Sequence, residues 1–273
     1  MGLFAKLAVA LGLARPVVAA ADTPQDETFV RMRAAFPYEI VTVPGSRALA
    51  EWEKLKKCGS GWPVIVGDDE ALGRVLEGYS IDDASVFPVP PDAGYRLPAP
   101  PSVEEILAIA DEIDVPAELQ RQFDDEYGED PFDLPVGQWP APGEVEQMAL
   151  TVDRDIRTGR PFARTHIVIV PTDDPTQVPA YLRWGNWNAC PAPEIHVAVH
   201  RRWRDQYGAQ IVGISSDVIN MRVTRRPATR EEAMALAHEQ FLYCSDIVLQ
   251  GTDTLEPLAA GLMESDWWYF WWD

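Results

Sequence analysis

The residues best suited to chemistry in this sequence are a cysteine and two histidines at the start of one predicted helix. Cys190 stands just before that helix, where the positive end of the helix dipole lowers a thiol pKa and makes a thiolate more available. His196 and His200 are four residues apart, so both rings project from the same helix face. With Cys244 as a fourth ligand, these residues could form a zinc site of two cysteines and two histidines.

A catalytic dyad of Cys190 and His196 is the alternative for the same residues, with Glu194 or Asp246 as the candidate to orient the histidine. Two features weigh against the zinc site: the spacing from Cys190 to His196 is not a usual zinc pattern, and the sequence contains no CxxC pair. Against the dyad, a protein of this size offers many such sets of cysteine, histidine and acid. We expect instead a buried Cys190 and a His196 ring that is hydrogen-bonded to a neighbouring loop. No cofactor is therefore assigned, and zinc remains the one to test.

Tryptophan is the second residue type that could form a site. The candidates for a ligand pocket or a partner surface are Trp184, Trp187, Asn188, Trp203 and Trp268. Against this, aromatic residues at strand alternation are more often core. The terminal run WWYFWW predicts a strand with Trp267, Tyr269 and Trp271 on one face and Trp268, Phe270 and Trp272 on the other.

Charge is distributed unevenly along the 273 residues. The net charge is −20, and residues 1–150 hold 11 basic against 27 acidic side chains, whereas residues 151–273 hold 12 against 16. This excess repels nucleic acid. A solvated acidic surface is the favoured explanation of the charge, and a basic protein partner is the alternative. Six arginines make the second half locally basic, so we expect the acidic first half to dock against it. They are Arg201, Arg202, Arg204, Arg222, Arg225 and Arg226.

Compartment is indicated by the cysteines and by the start of the chain. Three widely spaced cysteines are no disulfide framework, which favours a reducing, cytoplasmic location. The segment Met1–Ala21 has an apolar run and a small-residue end like a signal peptide, although Arg15 and Pro16 interrupt it; export is the alternative. No later stretch has the length of a membrane span, so we expect no integral membrane association.

The order of predicted elements gives an α+β fold. Residues 1–24 form a signal-like or amphipathic segment, and 25–87 a small α/β unit. Residues 88–150 are a proline-rich connector with acidic helices, and 151–273 a C-terminal domain in which helices pack an antiparallel sheet. Ala180–Trp184 is one of the predicted strands.

Part of the second half resembles a known family. The residues that carry the resemblance are Trp187-Asn188-x-Cys190-Pro191, His196, Tyr207-Gly208-Ala209, Tyr243-Cys244-x-Asp246, Gln250-Gly251-Thr252 and the tryptophan-rich end. Over about residues 165–273 the sequence is similar to the bacterial family known as domain of unknown function 4253. The resemblance implies a compact α+β domain. It does not imply any particular activity.

The leading functional hypothesis is a non-enzymatic protein-interaction module, because no complete catalytic or cofactor motif is present. Bacterial immunity proteins against secreted toxins share this acidic α+β profile, which is an analogy only. The alternatives are a thiol- or zinc-dependent hydrolase centred on Cys190 and His196, and a small-ligand binder with a tryptophan-lined pocket.

Overall fold

The computed structural model describes residues 27–90, 92, 94, 98–128, 136–141, 143–145 and 148–273. The predicted segment 1–24 lies outside the described residues. The strands are β1 (Glu39–Val43), β2 (Trp62–Gly67), β3 (Thr165–Val170), β4 (Gln210–Ile214), β5 (Val218–Arg222) and β6 (Trp267–Trp271). The α-helices in the described part are α1 (Glu27–Ala35), α2 (Gly45–Cys58), α3 (Asp69–Ser80), α4 (Val103–Asp111), α5 (Val115–Tyr127), α6 (Val178–Leu182), α7 (Pro193–Tyr207), α8 (Arg230–Tyr243) and α9 (Leu255–Glu264).

Capping residues explain where several helices begin and end. Ser102 and Glu105 form the predicted capping box of α4, each side chain accepting from the backbone of the other. Gly208 ends α7 at φ 63°, and a Cβ there would overlap the side chain of Thr224, so this position requires glycine. Gly208 thereby sets the C-terminal end of α7, the helix that contains His196 and His200.

The predicted strand Ala180–Trp184 is wrong, because this stretch contains helix α6 instead. Asp174 accepts a hydrogen bond from the Thr176 backbone N–H at the start of a 3₁₀ turn, and α6 follows directly with Pro179 in its first turn. Proline fixes a helical φ and lacks only an N–H that the first turn does not use. These start signals outweigh the apolar pattern that suggested a strand.

The six strands form one sheet in the order β1-β3-β2-β4-β5-β6. Neighbours are antiparallel except β2 and β4, which are parallel and paired at Ile65 and Gly213. Strands from both halves of the chain therefore lie in one sheet. The α+β class is confirmed, with the sheet predominantly antiparallel and packed by helices.

The predicted division of β6 into two faces is confirmed. On one face, Trp268 and Phe270 pack against Trp203 of α7, at ring-centroid distances of 5.5 and 5.2 Å. On the other face, Tyr269 and Trp271 form a separate small cluster. Both faces of the terminal strand are therefore buried within the chain itself.

A segment that runs from residue 148 to 162 is fixed to the sheet by the buried side chain of Asn220. Its Oδ1 accepts from the backbone N–H groups of Thr151 and Val152 and from the Thr151 hydroxyl, at 2.9 to 3.2 Å. A Cβ at Gly213 would overlap the Val152 side chain, so the segment lies directly on the sheet there. Asn220 thus links the segment before β3 to the middle of β5.

Two of the six arginines of the second half contact the acidic first half. Arg201 of α7 donates to Asp111 of α4 at 2.6 Å, and Arg222 of β5 donates to Glu53 of α2 at 3.1 Å. The other four arginines bond to second-half partners. Because these contacts are mostly solvent-exposed, each contributes little to stability. No helix in the described residues is long and apolar enough to cross a membrane.

Candidate functional site

The loop before α7 places Cys190 through a series of unusual backbone conformations. Arg183, Asn186 and Asn188 have φ values of 51°, 70° and 45° and are three of the four non-glycine residues with positive φ in the described chain. Gly185 has φ 118°, and a Cβ there would overlap the Pro191 carbonyl oxygen and the His196 ring. Backbone strain of this kind persists only where surrounding contacts impose it, and it is common at functional sites.

Three side chains continue inward from Cys190 as a buried hydrogen-bonded chain. The Cys190 sulfur lies 3.5 Å from Nε2 of His196, whose Nδ1 lies 2.6 Å from the Tyr243 hydroxyl. The same hydroxyl lies 3.0 Å from Nε2 of His200. His196 and His200 are fully buried, and Cys190 and Tyr243 are nearly so. The chain thus joins the loop, α7 and α8 within the core.

The position of each hydrogen in this chain follows from one unpaired nitrogen. His200 Nδ1 is buried and has no partner among the described residues. Burying a ring nitrogen without a partner costs less free energy when that nitrogen carries no hydrogen than when it is an N–H group. The hydrogen of His200 therefore lies on Nε2 and is donated to the Tyr243 oxygen. Tyr243 has one hydrogen, which it then donates to Nδ1 of His196. The remaining hydrogen of His196 lies on Nε2 and points toward the Cys190 sulfur.

This arrangement makes His196 a donor to Cys190 rather than a base for its thiol. Burial lowers the pKa of His196 well below its usual value, with His200 adding to the effect, while the Pro191 carbonyl opposes it by accepting a hydrogen bond. Burial likewise lowers the pKa of His200 to about 3. Burial also raises the pKa of the Cys190 thiol strongly. Both rings and the thiol are therefore neutral at pH 7, unlike an activated thiolate and imidazolium.

The four candidate zinc ligands are not arranged around a common point. His196 and His200 are bridged by the Tyr243 hydroxyl, and the Cys244 thiol donates to the Trp271 carbonyl at 2.9 Å. Burial raises the pKa of Cys244. Among the residues that the structure describes, no group of three or more histidine, cysteine or acidic side chains could hold a metal ion. Glu194 is outside the buried chain and lies at the surface of α7.

The candidate tryptophans lie mainly in the core. Trp184 donates from its ring nitrogen to the Ser215 carbonyl, and Trp203 donates to Glu239, both at 2.7 Å. Trp268 is also buried, and Trp187 is half-buried against Trp184. Among the candidates, only Asn188 is exposed. The tryptophans therefore pack against other aromatic rings of the chain, whereas Asn188 lies at the surface and lines an open groove.

An open groove of about 780 Å³ lies over Cys190, between the strained loop, the start of α7 and helix α5. Four carboxylates and one guanidinium line it: Glu118, Asp125, Glu126, Glu194 and Arg121. Arg121 is held by Glu118 and Asp125, its neighbours on α5. Neither Glu126 nor Glu194 has an ion-pair partner among the described residues. The groove therefore presents uncompensated negative charge to solvent.

Asp273, which follows β6, lies against one side of the strained loop. Asn188 donates to the Asp273 backbone carbonyl at 2.8 Å, and the Asp273 N–H donates to Asp246 at 3.0 Å. Asp246 directly precedes a π-helical turn, Ile247–Thr252. Such turns are rare and occur frequently at functional sites. Irregular backbone from two parts of the chain thus meets beside the groove.

Two parts of this site were not predicted from the sequence. Tyr243 was noted only within the family resemblance, although it is the residue that connects the two histidines. Helix α5 was predicted as an acidic helix of a connector, and no sequence signal indicated that it faces α7 across a groove. Contacts between residues so distant in sequence have no local signature.

Comparisons with known proteins bear on the C-terminal part of the chain. A search of curated proteins and a search of solved structures each gave no match. The model of one family matches residues 166–273, which include Cys190, both buried histidines, Tyr243 and β6 but not helix α5. The C-terminal part of this chain is thus a match to the family described as Domain of unknown function (DUF4253).

Proposed function

We propose that this protein is a non-enzymatic interaction module whose acidic groove binds a basic segment of a partner protein. The observation that carries the proposal is the pair of carboxylates, Glu126 and Glu194, that line the groove with no cationic partner in the described chain. Like charges that converge in a concave surface raise the local concentration of an oppositely charged ligand. A segment with lysine or arginine supplies the missing charge.

The buried chain beneath the groove supports a binding role over a hydrolytic one. A nucleophilic cysteine needs a base with a free nitrogen facing the sulfur. The hydrogen that we place on His196 Nε2 occupies that position, so the chain instead fixes the loop and α7 to α8. In this proposal the cysteine and histidines hold the floor of the groove, and the exposed carboxylates contact the partner.

A cytoplasmic location is part of the same proposal. The three cysteines are free, and Cys58 is exposed at the end of α2. An exposed unpaired thiol persists more readily in a reducing compartment than in an oxidising one.

A titration with a short arginine- and lysine-rich peptide tests the proposal. We expect binding by isothermal titration calorimetry that weakens about fivefold in the E126Q/E194Q variant, because each exposed ion pair contributes ~0.5 kcal/mol. The matched control is E77Q/E104Q, which makes the same charge change at exposed positions outside the groove. Equal weakening in both variants would show that binding reflects only the net charge of the chain.

One observation favours a second candidate, the thiol-dependent hydrolase. Cys190 is part of the groove lining, and its sulfur is within hydrogen-bonding distance of His196. This candidate requires Cys190 to react with iodoacetamide at neutral pH and the reaction to slow in a His196→Gln variant. Peptide mapping of the alkylated native protein distinguishes it from the interaction module, for which Cys190 stays unmodified.

A further inference from the structure

A third buried histidine, His166, lies away from the chain formed by His196 and His200. His166 in β3 is the cross-strand partner of Thr42 in β1. Its Nδ1 lies 2.9 Å from the Thr42 hydroxyl, and its Nε2 lies 2.8 Å from the carboxylate of Asp69, the first residue of α3. His166 is 3% exposed, whereas Thr42 and Asp69 are open to solvent.

The carboxylate determines which nitrogen of His166 holds the hydrogen. An ionised carboxylate can only accept, so the hydrogen lies on Nε2 and is donated to Asp69. Nδ1 is therefore bare and accepts the hydrogen of the Thr42 hydroxyl. Arg164 lies 3.5 Å from the same oxygen of Asp69, so the carboxylate is contacted from two sides. Hydroxyl, imidazole and carboxylate stand in the order of nucleophile, base and orienting group.

Thr42 is exposed at one edge of the sheet. Among the described residues, β1 is an edge strand of the sheet, with β3 as its neighbour in the sheet order. Neither Thr42, His166 nor Asp69 lines the acidic groove, so this site is independent of the proposed binding function.

We propose that Thr42 is an acyl-transfer site, in which its hydroxyl attacks the carbonyl of an activated ester or thioester. A bond forms between Thr42 Oγ1 and the acyl carbon, and the bond from that carbon to the leaving oxygen or sulfur breaks. The hydroxyl proton passes to Nδ1 of His166 and from there to the leaving alkoxide or thiolate. Hydrolysis of the threonine ester by water restores the hydroxyl. His166 acts as the base, and Asp69 is a positioning residue that sets its tautomer.

The full-length chain incubated with p-nitrophenyl acetate tests this site. We expect an acetyl group on Thr42 by peptide mapping, or a steady release of p-nitrophenolate if the ester is hydrolysed, and loss of both in Thr42→Val. Thr42→Ser retains the reaction. Asp69→Asn slows it by at least about tenfold, because an amide can donate to Nε2 and permit the wrong tautomer. Asp82→Asn, an exposed acid elsewhere, leaves the rate unchanged.

Two results would overturn the proposal. One is a release of p-nitrophenolate and an extent of acetylation that are the same in the wild type and in Thr42→Val. The other is a Thr42 reaction that proceeds at the wild-type rate in Asp69→Asn, since the hydroxyl would then react without the histidine and carboxylate. Circular dichroism of each variant shows that the fold is retained, and Thr42→Ser and Asp82→Asn serve as the matched positive controls.

Discussion

Acidification from pH 7 to pH 5 is expected to destabilise the fold through His196 and His200. Burial lowers the pKa of His200 to about 3 and that of His196 well below the usual 6.5. Both rings therefore stay neutral in the folded chain over this range, while in the unfolded chain they take up protons below about pH 6.5. Because the unfolded state binds more protons, the free energy of unfolding falls as the pH falls.

The size of the effect follows from the pKa difference. For one histidine with an unfolded pKa near 6.5 that stays neutral when folded, the free energy of unfolding is about 2 kcal/mol lower at pH 5 than at pH 7. The two buried rings together give about 4 kcal/mol. The acidic group Glu118, whose pKa is lowered chiefly by its hydrogen bond with Arg121, titrates below this range. The carboxyl groups of Glu105 and Asp83, whose pKa values are also lowered by hydrogen bonds, likewise have ordinary pKa values below 5, so histidine dominates the change between pH 7 and pH 5.

Urea unfolding at pH 7, 6 and 5 measures this dependence. We expect a His200→Gln variant to lose about half of the pH dependence of the free energy of unfolding. This expectation holds whatever the stability of the variant at pH 7. His238→Gln is the matched control, because His238 lies on the exposed side of α8 and the substitution should leave the wild-type dependence unchanged. A wild-type free energy that is constant from pH 7 to pH 5, or an equal loss of dependence in both variants, would refute the reasoning.

Three further predictions concern the same core. Tyr243→Phe removes the hydroxyl between the two histidines and should lower the free energy of unfolding by about 2 kcal/mol in urea, since two buried ring nitrogens lose their partner; an unchanged stability would mean that the chain is not formed. Native protein treated with Ellman's reagent should show one reactive thiol, that of Cys58, and none in Cys58→Ser; a second fast thiol in the native state contradicts the buried position of Cys190. Asn220→Ala leaves two backbone N–H groups of the segment at residue 151 without an acceptor and should lower the free energy of unfolding by about 3 kcal/mol in urea; a loss below about 1 kcal/mol would show that the segment is not held by Asn220.

The elements that local signals specify were predictable from the sequence. The α4 capping box, the glycine that ends α7 and the two faces of β6 all follow from residues within a few positions of each other. Ala180–Trp184 was predicted as a strand because its apolar residues suit either structure. The proline and cap residues just before it decided for helix.

The site was predictable in its components but not in its connections. The spacing of His196 and His200 predicted that both lie on one helix face. In the structure both rings are hydrogen-bonded to the Tyr243 hydroxyl. No spacing rule indicates that a tyrosine over forty residues away lies between them. The same is true of Thr42, Asp69 and His166, which only the sheet register brings together. Pairings between distant segments depend on the whole fold.

The interpretation of the site as a binding surface depends most directly on the position of one hydrogen atom. Two-bond proton–nitrogen NMR spectra of nitrogen-15-labelled protein at pH 7 report which ring nitrogen of each histidine is protonated. We predict that the hydrogen of His196 is on Nε2, facing the Cys190 sulfur, and that Nδ1 is bare. A hydrogen on Nδ1, with Nε2 bare toward the thiol, would contradict the account and would give Cys190 the base that a catalytic dyad requires.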